Sequence, residues 1–425
     1  MLIKTAFSAM TLKVIGAGLM FLFNIVVARI LGAESSGHYY FALSAITIIS
    51  IFSKLGLDNI LLKNAAQYKA NKQEMKVKAV AKTGIVVPTV VSLAIIVIIY
   101  LLLALFGNKV FQSAFFESAF YIMILGILPL TIFNLYSEFL KGCGNYALGM
   151  VIQGALLPLL GLILIYPLSQ NFESKGVYLS YIIASYCVLI ICYINWVIRI
   201  GGWNKVPYYP FRKLWERSKH LLVVAIINRG ILQHAPILIM GFWVTSDDVG
   251  IFGTAIRVAM LVSFTLSAVN NAIAPRFSAL FAKDNLKEIE SIARKMSVII
   301  IGISSPVLLV IIFFGDLIMS VFGNDFSRGG GALIILALGQ FANALTGSVN
   351  YLLITSGNEI VSKKVTMFSG LLLCVACIIL IPNYGLIGAA ISVSIVAILS
   401  NTILTYLVSK KLHINTLPFL KRLQS

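Results

Sequence analysis

The sequence predicts an all-α integral membrane protein of twelve transmembrane helices, arranged as two six-helix lobes related by a parallel pseudo-two-fold axis. Three observations carry that prediction. The 425 residues are 59% hydrophobic and only 11% charged, where a soluble domain carries about 25% charged residues. The apolar residues fall into runs of bilayer length. A set of turn residues recurs about 213 positions further along the chain.

A helix needs about 20 apolar residues to cross roughly 30 Å of hydrocarbon. Twelve runs qualify, at 9–31, 37–62, 83–105, 117–140, 147–168, 176–198, 218–242, 250–275, 297–321, 331–354, 365–383 and 386–408. Only the turn Ile381-Pro382-Asn383-Tyr384-Gly385 separates the last two. Continuous runs exclude a membrane β-barrel, whose strands alternate in polarity. Residues 1–31 do not read as a cleavable signal peptide, because the stretch is too long and a second span follows at once.

The net charge of +18 follows from topology. All but seven of the 33 Lys and Arg residues lie in segments on the side of both termini. Lys109, Lys175 and Arg328 lie on the opposite side, and Arg29, Lys54, Arg229 and Arg257 lie within spans. The positive-inside rule then places both termini in the cytoplasm. Basic residues so dispersed lend no support to a nucleic-acid partner.

The repeat joins Gly37 to Gly250, Ala42 to Ala255, Lys63 to Arg276, Lys82 to Lys295, Gly144-Asn145 to Gly357-Asn358 and Gly176 to Gly388. Six spans separate equivalent positions, so the halves share one orientation, and in such transporters the substrate path lies between the repeats. The lobes are expected at 1–200 and 218–425, the latter ending in a short cytoplasmic tail. A basic cytoplasmic linker at 201–217, with Pro207 and Pro210, would join them.

Charges inside a bilayer are expensive and usually face protein or water. Lys54 lies about 13 Å from the cytoplasmic end of span 2, and Arg229 about 16 Å into span 7. One falls in each half, and together they would face a central cavity suited to an anion, Arg by its fork and Lys as a point charge. Asp58, one turn after Lys54, is the alternative partner that would make a buried ion pair. Arg29 and Arg257 lie nearer the external ends, where they either line the lumen or snorkel to the headgroups.

Gln340, Asn343, Gly347 and Asn350 share one face of span 10, and Gln233 lies one turn after Arg229, with Asn228 and His234 beside it. Asn270-Asn271 precede Pro275 on span 8, and Tyr178, Tyr181 and Ser185 share a face of span 6. These read either as lumen-lining groups or as hydrogen-bonding links between packed helices. Asp58 and Glu138 are candidates for a coupling proton or sodium ion, or else are interfacial carboxylates. Cys374 and Cys377 have redox or zinc spacing but sit in an apolar run, where they read as packing residues. No cofactor or metal site is expected. The absence of a GxxxxGK[ST] loop excludes an ATP-driven pump on this chain alone. Loops of no more than about twenty residues argue against a membrane-embedded polymerase or glycosyltransferase.

Ala28-Arg29-Ile30-Leu31-Gly32, then Gly37-x-Tyr39-x-x-Ala42-x-Ser44, then Leu55-Gly56-Leu57-Asp58-Asn59 before a basic loop, resemble the first two helices of polysaccharide flippases. The closest type is the Wzx flippase for O-antigen and capsule units, within the multidrug/oligosaccharidyl-lipid/polysaccharide exporter superfamily. The resemblance implies a V-shaped bundle with a central cavity and alternating access. The implied partner is an undecaprenyl-diphosphate-linked oligosaccharide, moved across a bacterial inner membrane, with polymerase machinery downstream. Arg29 and Asp58 have counterparts in the family pattern. Lipid II flippases of the superfamily have fourteen helices rather than twelve. Drug and cation antiporters have twelve, but a cationic lumen suits them poorly. A drug or metabolite exporter remains the alternative transporter, and a non-transport membrane subunit the alternative of another class.

Overall fold

The computed structural model describes residues 2–110, 114–200 and 206–416. Sequence assignments on the side chains of Lys4, Lys109, Arg199, Asn271 and Pro275, on 201–205 with Lys205, and on 417–425 with Lys421 and Arg422 fall outside the described residues.

Every regular element among the described residues is helical. In chain order they are α1 (Leu2–Ser53), α2 (Asp58–Ala70), α3 (Glu74–Val110), α4 (Ala114–Ile124), α5 (Ile127–Gly142), α6 (Tyr146–Met150) and α7 (Leu156–Ile200). After these come α8 (Phe211–Ala225), α9 (Leu232–Trp243), α10 (Ser246–Phe281), α11 (Leu286–Ser320), α12 (Gly330–Thr346), α13 (Val349–Thr355) and α14 (Glu359–Leu412). π-Helical turns at Val151–Ala155 and Ile226–Ile231 join α6 to α7 and α8 to α9.

Nine stretches among the described residues are long and apolar enough to cross a bilayer. Three of them run to 43, 53 and 54 residues, more than twice the length that a bilayer requires. Each is interrupted at one non-helical residue: Gly32 (φ 68°), Glu173 (φ 50°) or Gly385 (φ 53°). At the last two the chain doubles back. A Cβ on Gly176 would lie 2.1 Å from the Leu168 carbonyl oxygen, and one on Gly388 would lie 2.2 Å from that of Leu380. Residues eight apart in a straight helix are about 12 Å apart along its axis, so α7 and α14 are each a pair of helices side by side. Only glycine fits so close an approach, and Gly176→Ala is expected to collapse the yield of folded protein. Fluorescence-detected size exclusion of detergent extracts measures this directly.

Left-handed residues recur at the spacing of the sequence repeat. Lys72 and Asp284 (φ 56° and 52°), Gly144 and Gly357 (82° and 81°), and Glu173 and Gly385 are left-handed pairs 212 or 213 residues apart. One break does not recur. Span 2 was expected to run to residue 62, but the helix stops at Ser53, and Leu55 and Gly56 both take positive φ before α2 restarts at Asp58. The cause is α8, which presses on this turn so closely that a Cβ on Gly56 would lie 2.6 Å from Ser218 O and Leu222 N. The equivalent region of α10 is continuous from Ser246 to Phe281.

The chain divides into two compact units, Met1–Gly230 and Ile231–Ser425. In the first, α1 meets the span-5 helix where a Cβ on Gly16 would lie 3.0 Å from Gly154. Tyr39 stacks on Tyr178 at 6.3 Å and meets the edge of Tyr181 at 6.1 Å. The chain before α8 straps onto α3. Lys82 Nζ donates to Val206 O at 2.8 Å, and Thr83 exchanges two hydrogen bonds with the Tyr209 backbone. In the second unit, Gly339 lies against Ser394, whose hydroxyl donates to Ile335 O, and Ser304 donates to Val262 O. Helices in lipid lack a hydrophobic drive to associate, so small residues and hydrogen bonds of this kind hold them together. Outward-facing side chains such as Leu105 (73% exposed) and Phe313 (75%) would form an aggregation-prone surface in water and suit lipid tails instead.

Candidate functional site

The break after span 2 builds the site. Lys54 closes the turn there, its N–H bonded to Ser50 O and its carbonyl accepting from Leu57 N, both at 3.0 Å. The residue is 6% exposed. Asp58 opens α2 and is equally buried. Lys54 is therefore not inside a continuous span-2 helix, and Asp58 is not one helical turn beyond it on a shared face.

Arg229 comes from the π-helical turn Ile226–Ile231. Its Nη1 donates to Asp58 Oδ2 at 3.2 Å across 171 residues of chain. Both residues fall within the compact unit Met1–Gly230. Asp58 Oδ1 is buried with no hydrogen-bond partner. A buried, unmatched carboxylate oxygen costs about 1–3 kcal/mol or more, so it awaits a donor. Beside it is a cavity of about 150 Å³, lined by Gly56, Asp58, Asn59, Leu221, Val224, Ala225, Asn228 and Arg229. Such a volume admits several water molecules or a small polar group of a ligand.

Lys54 is close enough to Asp58, Arg229 and Glu138 to interact electrostatically with all three. Glu138 is itself held by Lys141 at 2.9 Å and by Gln153 Nε2 at 3.3 Å. Arg229 occupies one oxygen of Asp58 and Lys141 holds Glu138, so neither nearby carboxylate is given over to Lys54 alone.

The other sequence candidates are not gathered here. Arg29 is exposed on α1, three residues before the Gly32 break. Arg257 donates to the Gly253 carbonyl of its own helix. Gln233 is exposed on α9 in the second unit. Gln340 accepts from Ser263 Oγ at 2.8 Å, the Asn343 carbonyl accepts from Thr346, and Asn350 Oδ1 accepts from Ser362 at 2.5 Å. They do not share one helical face, because Gly347 (φ 69°) ends α12 and Asn350 belongs to α13. Asn270 accepts from Ser348. Tyr178, Tyr181 and Ser185 are buried in the first unit's packing. Cys374 and Cys377 are free thiols, the second buried. Sequence reading named Asn228 but missed Asn59, Lys141 and Gln153 as members of polar clusters. Its place next to Asp58 was the signal available for Asn59.

A family model described as "Polysaccharide biosynthesis protein" matches residues 2–281, and one described as MatE matches 225–379. The chain is 22% identical over 402 residues to the Capsular polysaccharide biosynthesis protein CapF of Staphylococcus aureus, covering 90% of this chain and 93% of that one. It is 25% identical over 395 residues to the "Probable low-salt glycan biosynthesis flippase Agl15" of Haloferax volcanii, covering 90% and 78%. Its fold is similar to that of a solved multidrug resistance MATE family transporter of the MOP superfamily, captured in an inward-facing conformation, with TM-score 0.79 at 14% identity over 96% of this chain and 98% of that one. The first of the family matches spans well over half the chain, and the protein therefore belongs to the polysaccharide biosynthesis protein family.

Proposed function

We propose that the protein is a flippase for lipid-linked oligosaccharides, and that its substrate is an undecaprenyl-diphosphate-linked repeat unit moved across a bacterial inner membrane. Twelve spans in two six-helix lobes would rock about the substrate by alternating access, with both termini in the cytoplasm. Polymerase machinery would take the product on the far side. No step requires catalysis. The observation that carries the reading is the turn after span 2, where Arg229 and an unmatched Asp58 oxygen line a polar cavity and Lys54 lies close to both, in a chain of this family. The buried Lys54 ammonium beside the half-exposed Arg229 guanidinium attracts a diphosphate more strongly than cations in bulk water do, because the dielectric around Lys54 is low. Arg229 offers a bidentate fork and Lys54 an adjustable point charge. A sugar hydroxyl would supply the donor that Asp58 Oδ1 lacks. In this reading Arg29, Arg257, Gln233, Gln340, Asn343 and Asn350 act further along the path, and Asp58 is the better placed of the two carboxylates to take a coupling proton or sodium ion.

The test is deletion of the gene and complementation, reading surface polysaccharide by immunoblot. Loss of polymer in the deletion, restored by the wild type, is the expected result. Unchanged polymer together with raised drug sensitivity would instead favour the drug or metabolite exporter.

A further inference from the structure

Cations of the first unit gather on a surface away from the Lys54 turn, where the α2–α3 junction, the strap at 206–210 and the first turns of α8 meet. Lys72 and Lys76 on the junction, and Arg212, Lys213, Arg217 and Lys219 on α8, are all exposed. The acids of these two segments are Glu74 and Glu216, and Arg212 holds Glu216 at 3.2 Å. The segments are fixed to one another. The buried Lys82 donates to Val206 O at 2.8 Å, and its ammonium stands 4.3 Å from the Tyr208 ring centre. Thr83 exchanges two hydrogen bonds with the Tyr209 backbone, and the Tyr209 hydroxyl bonds that of Tyr68 at 3.1 Å. Leu214 and Phe211 of α8 pack with Leu57, Ile60 and Leu61. Tyr68 joins the two charged sets, with the Lys76 ammonium 5.8 Å from its ring centre and Arg217 close enough to act on it electrostatically. Topology explains the sign of these residues, but not their being held on one surface.

Helix length sets their level. The stretch Phe211–Trp243 runs 33 residues, about 13 more than the hydrocarbon requires. Its apolar run starts at Leu221-Leu222-Val223-Val224, and the ten residues from Phe211 to His220 hold four of the cations. Those first turns therefore stand in the headgroup layer. Phe211 stacks on Trp215 there at 6.3 Å, and Tyr208 of the strap is 63% exposed. Tyr and Trp rings are characteristic of that layer, so the aromatic rim favours a lipid over a soluble acidic partner. Basic segments at a membrane surface attract anionic headgroups, and cations already fixed by the strap lose little freedom on binding one.

We propose that the α2–α3 junction and the first turns of α8, fastened together by the 206–210 strap, form a binding surface for the headgroups of anionic phospholipids. The assignment does not depend on what the protein transports. It does reach the site, because Ser218 and Leu222 of α8 press on Gly56, where a Cβ would lie 2.6 Å from the Ser218 carbonyl oxygen and the Leu222 nitrogen. Lipid held on the first turns of α8 steadies the turn that carries Lys54 and Asp58.

Full-length protein in detergent is titrated with dioleoylphosphatidylglycerol, dioleoylphosphatidylcholine, undecaprenyl diphosphate and hexaglutamate, and bound molecules are counted by native mass spectrometry. The wild type should retain phosphatidylglycerol in preference to phosphatidylcholine and melt at a higher temperature with it. Lys213→Gln/Arg217→Gln, and separately Lys72→Gln/Lys76→Gln, should weaken phosphatidylglycerol about tenfold, leave phosphatidylcholine unchanged and lose the thermal shift. An unaltered melting temperature without added lipid is the folding control for each. Lys363→Gln/Lys364→Gln removes the same charge from the second unit and should change neither reading. Undiminished phosphatidylglycerol binding in both first-unit variants overturns the surface, and so does an equal loss in the second-unit variant. Hexaglutamate bound more tightly than phosphatidylglycerol, and lost in the same variants, gives the face to an acidic protein and overturns the lipid assignment. Loss of undecaprenyl diphosphate without loss of phosphatidylglycerol overturns it in favour of the carrier.

Discussion

Lys54→Ala should abolish translocation while leaving the fold intact. The side chain is buried at a turn whose hydrogen bonds are made by its backbone, so truncation removes charge more than structure. Neither nearby carboxylate is given over to its ammonium alone. Removing a cation that pairs with substrate phosphate in a low-dielectric site should lower transport about 100-fold or more. The melting temperature in detergent should fall by no more than a few degrees. Lys54→Arg should recover a measurable fraction of transport, because charge matters more here than shape. Cell-surface polysaccharide and fluorescence-monitored melting, read on the same variants, check both parts.

Asp58→Asn should differ from Arg229→Gln in a diagnostic way. Arg229→Gln leaves a carboxylate whose side chain is 8% exposed without its cation. Because the arginine side is half exposed, the stability cost is about 1–2 kcal/mol, less than for a fully buried pair. Asp58→Asn frees the guanidinium, which solvent or an anion can satisfy, so it should cost less stability. The double variant Asp58→Asn/Arg229→Gln should regain most of the lost stability and none of the transport. Thermal melts of the four members of this cycle, set beside polymer yield, separate the ion pair's structural share from its functional one. Full transport in the double variant would reduce the pair to a structural staple.

The fold was largely legible because its signals are local. Apolar runs and turn residues such as Gly144-Asn145, Gly357-Asn358 and Gly385 act within a few residues of themselves, and the structure places breaks at each of them. The site was legible only in part. Lys54, Asp58 and Arg229 were marked by their cost inside a bilayer, but their grouping depends on tertiary contacts. Periodicity continued span 2 through Lys54, whereas α8 packing on Gly56 ends the helix there. Helical spacing joined Asp58 to Lys54, whereas its direct partner lies 171 residues away. The polar face of span 10 was drawn on an unbroken helix, and Gly347 was the one residue that could have warned of the break. The Gln153 cluster was hidden because a π turn leaves no reliable mark in the sequence.

The central claim is that cations at the span-2 break select an anionic lipid-linked glycan. The most direct test reconstitutes the purified chain in proteoliposomes with an undecaprenyl-diphosphate-linked oligosaccharide, and separately with the same oligosaccharide on a neutral lipid. Exposure of the sugar on the opposite leaflet is followed with an impermeant lectin. The account predicts rapid transfer of the diphosphate form, slow transfer of the neutral form, and loss of the difference in Lys54→Ala. Equal transfer of both lipids by the wild type, or an undiminished preference in Lys54→Ala, would contradict it.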